Sequence, residues 1–210
     1  MKIAIFSESP ENEEAIRIII GCLLGKMTET ARLPNLQARG WPGVKGSITA
    51  VLRHLHYSTD AEALIVVVDS DDSPVHHLSH DQPDGADLKC RLCYLRTEIA
   101  RIQNQLKPKA GRAQIKVTIG LAVPAIEAWY RAGIDPQVAE TAWIQGLQSR
   151  RPPYSRNDLK QAVYGTPRPS RQLEQQRGIK EAQRLAQDLN LLEKLFPIGF
   201  GSLARSVRSW

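Results

Sequence analysis

The sequence has 210 residues, of which 42% are hydrophobic and 24% charged, and its net charge is +6 with neutral histidine. This composition excludes disordered, collagen-like and disulfide-scaffold proteins, and the length suits one domain with an appendage or two small domains. The charge is uneven, because residues 1–106 carry 11 basic and 14 acidic side chains whereas residues 107–210 carry 17 and 8. We therefore expect the first half to attract cations and the second half to attract anions.

The sequence gives no indication of export or of membrane insertion. Its first apolar run, Ile3–Phe6, meets an acid at Glu8, and no stretch approaches about 18 consecutive apolar residues. Three cysteines in a chain without an export signal argue against a structural disulfide. We therefore predict a soluble, cytoplasmic protein that does not bind a membrane.

The first 120 residues alternate short apolar runs with longer helical patterns. Strands are predicted at Ile3–Phe6, Leu64–Val68 and Ile115–Ile119, with a further candidate at Leu33–Ala38. Helices are predicted at Glu11–Gly25, at Ser47–His56 and from Asp87 to near Pro108, and a glycine-rich loop at Gly40–Gly46. This order predicts an α/β fold in which helices sandwich an open, mainly parallel sheet.

Beyond Pro124 the sequence becomes helical and basic. Helical patterns occupy Ala125–Arg131, Pro136–Leu147, Asn157–Tyr164 and Arg171–Phe196, and a tail follows at Pro197–Trp210. We therefore divide the chain into an α/β core, residues 1–131, and a helical basic extension, residues 132–210.

Acidic side chains follow each of the predicted strands. Glu8 follows the first strand, Asp69, Asp71 and Asp72 follow the second, and Glu127 comes soon after the third. Ligands of parallel sheets bind beyond the carboxyl ends of the strands, and carboxylates gathered there repel one another unless a cation neutralises them. Oxygen ligands favour Mg²⁺ or Mn²⁺. The alternative interpretation is a simple turn at the aspartates and a solvated helix start at the glutamate.

Two of these segments resemble the TOPRIM domain, in which a strand-end glutamate and a later Asp-x-Asp hold catalytic metal. They are Ile-Ala-Ile-Phe-Ser-Glu8 and Leu-Ile-Val-Val-Val-Asp69-Ser-Asp71-Asp72. The segment Val123-Pro-Ala-Ile-Glu127-Ala-Trp129-Tyr130 is similar to one in small stand-alone TOPRIM-like proteins, which are related to the nuclease half of overcoming-lysogenisation-defect (OLD) proteins. The resemblance covers roughly residues 1–131, and it departs after Glu8, where TOPRIM domains usually have glycine and this chain has serine and proline.

The resemblance implies a metal-dependent nuclease that hydrolyses phosphodiester bonds of DNA or RNA. Glu8, Asp69 and Asp71 would be metal ligands, with Glu8 alternatively a general base or acid, Glu127 an auxiliary ligand and Asp72 a further candidate. Such proteins are often encoded beside an ATPase in prokaryotic defence loci, so an antiphage role with an ATPase partner is implied. The alternative is a catalytically silent, regulatory subunit of such an ATPase.

Metal-assisted hydrolysis also needs a cation that stabilises the charge of the transition state. Lys45, in the predicted glycine-rich loop, and Lys116, on the last predicted strand of the core, are the candidates for this catalytic role. The alternative interpretation is that both are ordinary surface lysines.

A second metal hypothesis comes from a histidine and cysteine cluster. His76-His77-Leu-Ser-His80 precedes Cys90-Arg-Leu-Cys93. Cys-x-x-Cys is half of a common zinc pattern, and two of the three histidines would complete a four-coordinate Zn²⁺ site of His76, His80, Cys90 and Cys93. Helical spacing places both cysteines off the leucine face of their helix and on a similar side. The alternative interpretation is a set of solvated side chains.

Basic residues are concentrated between positions 150 and 177. The candidates for contact with a nucleic-acid backbone are Arg150, Arg151, Arg156, Lys160, Arg168, Arg171 and Arg177. Tyrosines and prolines interleave with them, as in surfaces that follow a phosphate backbone, whereas the alternative is a solvated helical surface. A nucleotide-binding P-loop is excluded at Gly21–Thr28, because the two glycines of that segment have one residue too few between them.

Overall fold

The computed structural model describes residues 1–33 and 39–210. Within these residues the strands are β1 (Lys2–Ser7), β2 (Glu29–Thr30), β3 (Ala63–Asp69) and β4 (Lys116–Ala122). They form one parallel sheet in the order β2-β1-β3-β4, which confirms the predicted α/β fold with an open parallel sheet. Residues 34–38 of the further predicted strand, Leu33–Ala38, lie outside the described residues.

The helices account for most of the remaining chain. They are α1 (Glu13–Leu24), α2 (Gly40–Ser58), α3 (Arg91–Gln105), α4 (Ile126–Arg131), α5 (Glu140–Gln148), α6 (Arg156–Tyr164), α7 (Arg171–Leu185), α8 (Leu189–Leu195) and α9 (Gly199–Arg208). Short 3-10 turns lie at Pro10–Asn12 and Leu78–Asp81. No helix among the described residues is long and apolar enough to cross a membrane.

The sheet is buried on both faces because helices cover each of them. Ile3 and Ile5 of β1 pack with α1 and the C-terminal helices, whereas Ala4 and Phe6 pack with α2 and α3. This explains why β1 and β3 have continuous apolar runs and no alternation. Helix α7 packs against α1 and α9 packs against β4. The predicted boundary at residue 131 therefore does not separate two hydrophobic cores, because the C-terminal helices complete one layer of the sandwich.

Several predicted boundaries differ from the structure, each for a local reason. The predicted loop Gly40–Gly46 forms the first two turns of α2, whose early proline is compatible with a helix start. The helix predicted from Asp87 begins at Arg91, so Leu88 is 61% exposed. The predicted helix Arg171–Phe196 is two helices, because Asp188 accepts a hydrogen bond from the Leu191 backbone N–H and begins α8.

The predicted tail contains α9, which is held against the sheet by a buried carboxylate. Glu140 of α5 accepts hydrogen bonds from the backbone N–H groups of Ile198 (2.8 Å) and Gly199 (2.9 Å), at the start of α9. Burial raises the pKa of Glu140, and these two hydrogen bonds oppose that rise. A Cβ atom at Gly199 would lie 2.0 Å from the carbonyl oxygen of Leu121, so only glycine fits where α9 meets β4.

Candidate functional site

The acidic residues meet at the carboxyl edge of the sheet. Glu8 directly follows β1, Asp69 ends the neighbouring β3, and the Asp69 backbone N–H donates to Glu8 Oε1 at 3.0 Å. The chain leaves β1 toward β2 on one side and later returns to β3 on the other. This reversal creates the crevice in which open α/β sheets bind ligands. The structure therefore brings together the two strand ends that the sequence analysis selected.

Asp69 is at the centre of this group of carboxylates. Its Oδ1 accepts a hydrogen bond from the backbone N–H of Ile126, the first residue of α4, at 2.9 Å, and its side chain is 16% exposed. Burial raises the pKa of Asp69 well above its usual range, and the charges of Glu127, Glu8 and Asp71 raise it further. Glu127 is buried in the first turn of α4. Four carboxylates therefore share one poorly solvated region.

Arg91, the first residue of α3, is the main cation among these carboxylates. Its Nη1 donates to Glu8 Oε1 (2.9 Å) and to the backbone carbonyl of Asp69 (2.8 Å), and its Nη2 lies 2.8 Å from Asp71 Oδ2. Its guanidinium also stacks on the ring of Trp41, 5.1 Å from the ring centre. Burial raises the pKa of Glu8, and the charge of Arg91 opposes that rise.

Arg156 closes the other side of the carboxylate group from the start of α6. It forms an ion pair with Asp71 Oδ1, and its Nη2 lies 3.5 Å from Asp69 Oδ2. Its side chain is 43% exposed, whereas that of Arg91 is 11% exposed. Asp71 adopts a left-handed backbone with φ of 45°, which aspartate tolerates better than most residues. Arg91 is therefore a fixed part of the site, whereas Arg156 lies at its rim.

An open groove adjoins this rim. Its volume is about 460 Å³, and its lining includes Asp71, Asp72, Trp143, Arg156 and Lys160. Arg156 and Lys160 are therefore the two of the seven predicted basic residues that line the groove. Arg171 lies 3.7 Å from Glu11, away from the groove lining, and the remaining four, Arg150, Arg151, Arg168 and Arg177, have exposed side chains.

The two candidate catalytic lysines do not reach the carboxylates. Lys45 lies on α2 and not in a loop, and its Nζ sits 4.7 Å from the centre of the Tyr94 ring. Lys116 begins β4, opposite Ala63 at the amino end of β3, and donates to the backbone carbonyl of Trp210. The prediction for these two lysines is corrected accordingly, and Arg91 and Arg156 are the cations at the site. Sequence reasoning missed Arg91 and assigned Arg156 only to the basic surface, because the ion pairs join distant segments.

The carboxylates offer the oxygen ligands that Mg²⁺ or Mn²⁺ prefers, but some of these oxygens are already paired with Arg91 or Arg156. Both oxygens of Asp71 are in ion pairs, whereas Glu8 Oε2 accepts no hydrogen bond from the described part of the chain. A cavity of about 20 Å³ is lined by Glu8, Asp69 and Asn12, and this is room for one water molecule or small cation. Glu8 and Asp69 therefore fit such an ion, whereas Asp71 would first have to leave an arginine.

The histidine and cysteine cluster has the geometry of a metal site. The ligand atoms of His76, His80, Cys90 and Cys93 all lie within 4.8 Å of one another, and within residues 1–33 and 39–210 the carboxylates do not form a group of this kind. Cys90 and Cys93 are buried, contrary to the alternative of solvated thiols, because α3 begins after Cys90 and its first turn faces the core. Burial raises the pKa of the Cys90 thiol to about 11. These four side chains could hold a metal ion.

No family model matches the chain, and the curated proteins and solved structures give no match either. The TOPRIM resemblance is therefore a prediction that depends on the residues quoted for it. The parallel α/β fold, the carboxylate group and the histidine and cysteine cluster are observed directly.

Proposed function

We propose that this protein is a metal-dependent nuclease of the TOPRIM-like class, which hydrolyses phosphodiester bonds of DNA or RNA. The observation that carries this proposal is the convergence of Glu8, Asp69 and Asp71 at the carboxyl edge of a parallel sheet, beside an open groove with basic residues. When bound by Glu8 and Asp69, Mg²⁺ or Mn²⁺ would supply an activated water and stabilise the leaving oxygen. Glu127, Asp71 and Asp72 are further ligand candidates around that position.

In its alternative role, in which it does not ligate the ion, Glu8 is suited to accept a proton from the attacking water. Its Oε1 is fixed by the Asp69 backbone N–H and by Arg91, whereas its Oε2 accepts no hydrogen bond from the residues that the structure describes. Burial raises the pKa of Glu8, which makes its carboxylate a stronger base than an ordinary surface glutamate. In this role Arg91 is a positioning residue, because it orients Glu8 and Asp71.

Arg156 is suited to bind the phosphate group. Its partly exposed guanidinium lies between the carboxylates and the groove, where Lys160 lies nearby. A phosphodiester in the groove would offer Arg156 an anionic partner in place of Asp71, and arginine binds phosphate with two parallel hydrogen bonds. This exchange would free Asp71 to face the cation. Nucleic acid is therefore the proposed partner, and its backbone would lie along the groove.

The proposal is tested by cleavage of plasmid DNA, linear DNA, single-stranded DNA and RNA with Mg²⁺, Mn²⁺ or EDTA. We expect the wild type to cut at least one of these substrates only with metal, and Glu8→Gln and Asp69→Asn to lose at least about 100-fold in rate. The matched control is Asp60→Asn, which removes the same charge at the amino end of β3 and should cut normally. Equal cleavage by Asp69→Asn and the wild type would refute the assigned site.

A catalytically silent subunit of an ATPase is the second candidate function. It is favoured by one observation, which is that Arg91 and Arg156 form ion pairs with Glu8 and Asp71 and so offset part of the negative charge of the carboxylates. If this function is correct, the protein should copurify with an ATPase and neither the chain nor the complex should cut nucleic acid with any metal. Metal-dependent cleavage that is lost in Glu8→Gln would exclude it.

A further inference from the structure

The geometry points to a structural zinc site at His76, His80, Cys90 and Cys93. We propose that Zn²⁺ joins the segment that follows β3 to the first turn of α3. The site is separate from the carboxylate group, and the proposal does not depend on the nuclease function.

The spacing of the four side chains fits one tetrahedral ion. Zinc lies about 2.3 Å from sulfur and about 2.0–2.1 Å from nitrogen, so tetrahedral angles require a sulfur-to-nitrogen distance of about 3.6 Å. The Cys93 Sγ atom lies 3.3 Å from His76 Nδ1 and 3.5 Å from His80 Nδ1, and Cys90 Sγ lies 3.8 Å from His76 Nδ1. These three distances are centred on the required value, so a zinc ion fits with only small movements of the side chains.

The neighbouring residues orient His76 as they do in known zinc sites. The Nδ1 atom of His76 faces the two sulfurs, and its Nε2 lies 3.2 Å from Asp81 Oδ1. Arg96 donates to the same oxygen of Asp81 at 2.6 Å and so fixes the carboxylate. In known sites a carboxylate accepts a hydrogen bond from the histidine nitrogen that does not bind the metal. This hydrogen bond sets the tautomer and leaves the other ring nitrogen free to bind the metal. This arrangement gives His76 a defined direction toward the cluster.

The start of α3 holds the two cysteines in fixed positions. Cys90 immediately precedes the helix and Cys93 lies in its first turn. The site has four protein ligands, of which His76, Cys90 and Cys93 are buried, and such closed sites are structural and not catalytic.

The ion would fix the residue that organises the carboxylates. Arg91 lies between the two cysteines, and it contacts Glu8, the backbone of Asp69 and Asp71. Zinc bound on both sides of Arg91 in the sequence would therefore hold its backbone in place. In that role the zinc is a positioning element for the carboxylate group, and it takes no part in the chemistry.

Elemental analysis of the full-length chain, purified under reducing conditions without chelator, tests the proposal. We expect one zinc per chain in the wild type and in His77→Gln, because His77 is exposed and bonds only within its own turn. We expect less than a tenth of that zinc in His76→Gln and Cys93→Ser. Cys22→Ser, which changes the exposed cysteine of α1, and Asp69→Asn, which changes the carboxylate group, should both keep it.

Cobalt binding provides a measurement that does not depend on the folding of a variant. Metal-free wild type that receives one equivalent of Co²⁺ should develop visible tetrahedral bands and a near-ultraviolet thiolate-to-metal band, and one equivalent of Zn²⁺ should remove both. Zinc removal should also increase hydrogen exchange in residues 76–96 more than in β1 and β3. A zinc-free wild type with no thiolate band after cobalt addition would overturn the proposal, as would equal zinc in His76→Gln and His77→Gln.

Discussion

Substitution of Asp69 by asparagine should stabilise the metal-free protein although it removes a central carboxylate. Asp69 is largely buried beside Glu127, Glu8 and Asp71. Burial raises the pKa of Asp69, and the charges of these three carboxylates raise it further. The asparagine carbonyl can still accept the hydrogen bond from the Ile126 backbone N–H. The substitution therefore removes repulsion and desolvation without losing the contact that begins α4.

The size of the effect follows from two opposing contributions. Loss of the 3.5 Å contact with Arg156 costs less than about 1 kcal/mol, because Arg156 is partly exposed and keeps Asp71 as a partner. We expect the relief of repulsion to outweigh this cost and to leave a net gain in the free energy of unfolding of about 0.5–2 kcal/mol, the range that single stabilising substitutions commonly give. For a chain of this length, each kcal/mol corresponds to about 2–4 °C, so the melting temperature in EDTA should rise by about 1–8 °C.

The gain should depend on pH with a defined sign. Because the folded pKa of Asp69 is raised, its ionised form destabilises the fold at pH values above its unfolded pKa of about 3.9. The stabilisation by Asp69→Asn should therefore be absent below about pH 4, grow as the pH rises from there toward the folded pKa, and stay constant above it. Asp60→Asn should give no such gain, because Asp60 is exposed and its pKa is lowered by Lys2.

Thermal unfolding of these variants in EDTA and in Mn²⁺ gives the measurement. Manganese at 100 times its dissociation constant would stabilise the wild type by about 2.7 kcal/mol, and it should stabilise Asp69→Asn much less. A melting temperature that falls in Asp69→Asn at pH 8 in EDTA would refute the account of repulsion. An equal response of both proteins to Mn²⁺ would refute the role of Asp69 as a ligand.

Four further substitutions test other parts of the structure. Glu140→Ala should lower the free energy of unfolding in urea by about 2–4 kcal/mol, because it leaves the backbone N–H groups of Ile198 and Gly199, at the start of α9, without acceptors. A loss below about 0.5 kcal/mol would contradict this. Gly199→Ala should lower the free energy of unfolding by about 2–3 kcal/mol. Its control is Gly46→Ala on α2, where a Cβ atom would meet open space and the free energy of unfolding should rise by about 0.5–1 kcal/mol. Equal effects of the two substitutions would refute the close contact of α9 with β4. Burial raises the pKa of Glu13 to about 7, so the wild type should lose stability as the pH rises from about 4.5 to 7. Glu13→Gln should therefore be more stable than the wild type by about 2–3 kcal/mol at pH 8 and equally stable at pH 4. No difference at pH 8 would contradict this.

The sequence was sufficient to predict β1 and β3, because each is a continuous apolar run of the kind that is buried between two helical layers. It was insufficient for β2, whose two exposed residues, Glu29 and Thr30, are held by backbone pairing with β1 and have no apolar signal. The start of α2 was missed because glycines disfavour helices in general, and here tertiary packing of Val44 and Ile48 overrides that preference.

The carboxylates of the site could be predicted from the sequence, but the pairing of Arg91 and Arg156 with them could not. Strand ends of a parallel sheet must meet at one edge, so Glu8 and Asp69 could be grouped from their positions alone. Arg91 pairs with Glu8, which lies 83 residues earlier in the sequence, and Arg156 contacts Asp69, which lies 87 residues earlier. No local sequence pattern encodes such pairs. The prediction that both cysteines lie off the apolar face was wrong, because the helix begins only after Cys90 and both side chains are buried.

The central claim is that Glu8 and Asp69 bind a divalent cation on which cleavage depends. Crystals grown with Mn²⁺ and measured at the manganese absorption edge test it most directly, because this edge distinguishes manganese from zinc in the histidine and cysteine cluster. We predict an anomalous peak between the carboxylates of Glu8 and Asp69 in the wild type and none there in Asp69→Asn. No peak in the wild type at saturating Mn²⁺, with Arg91 and Arg156 still paired to the carboxylates, would contradict the claim.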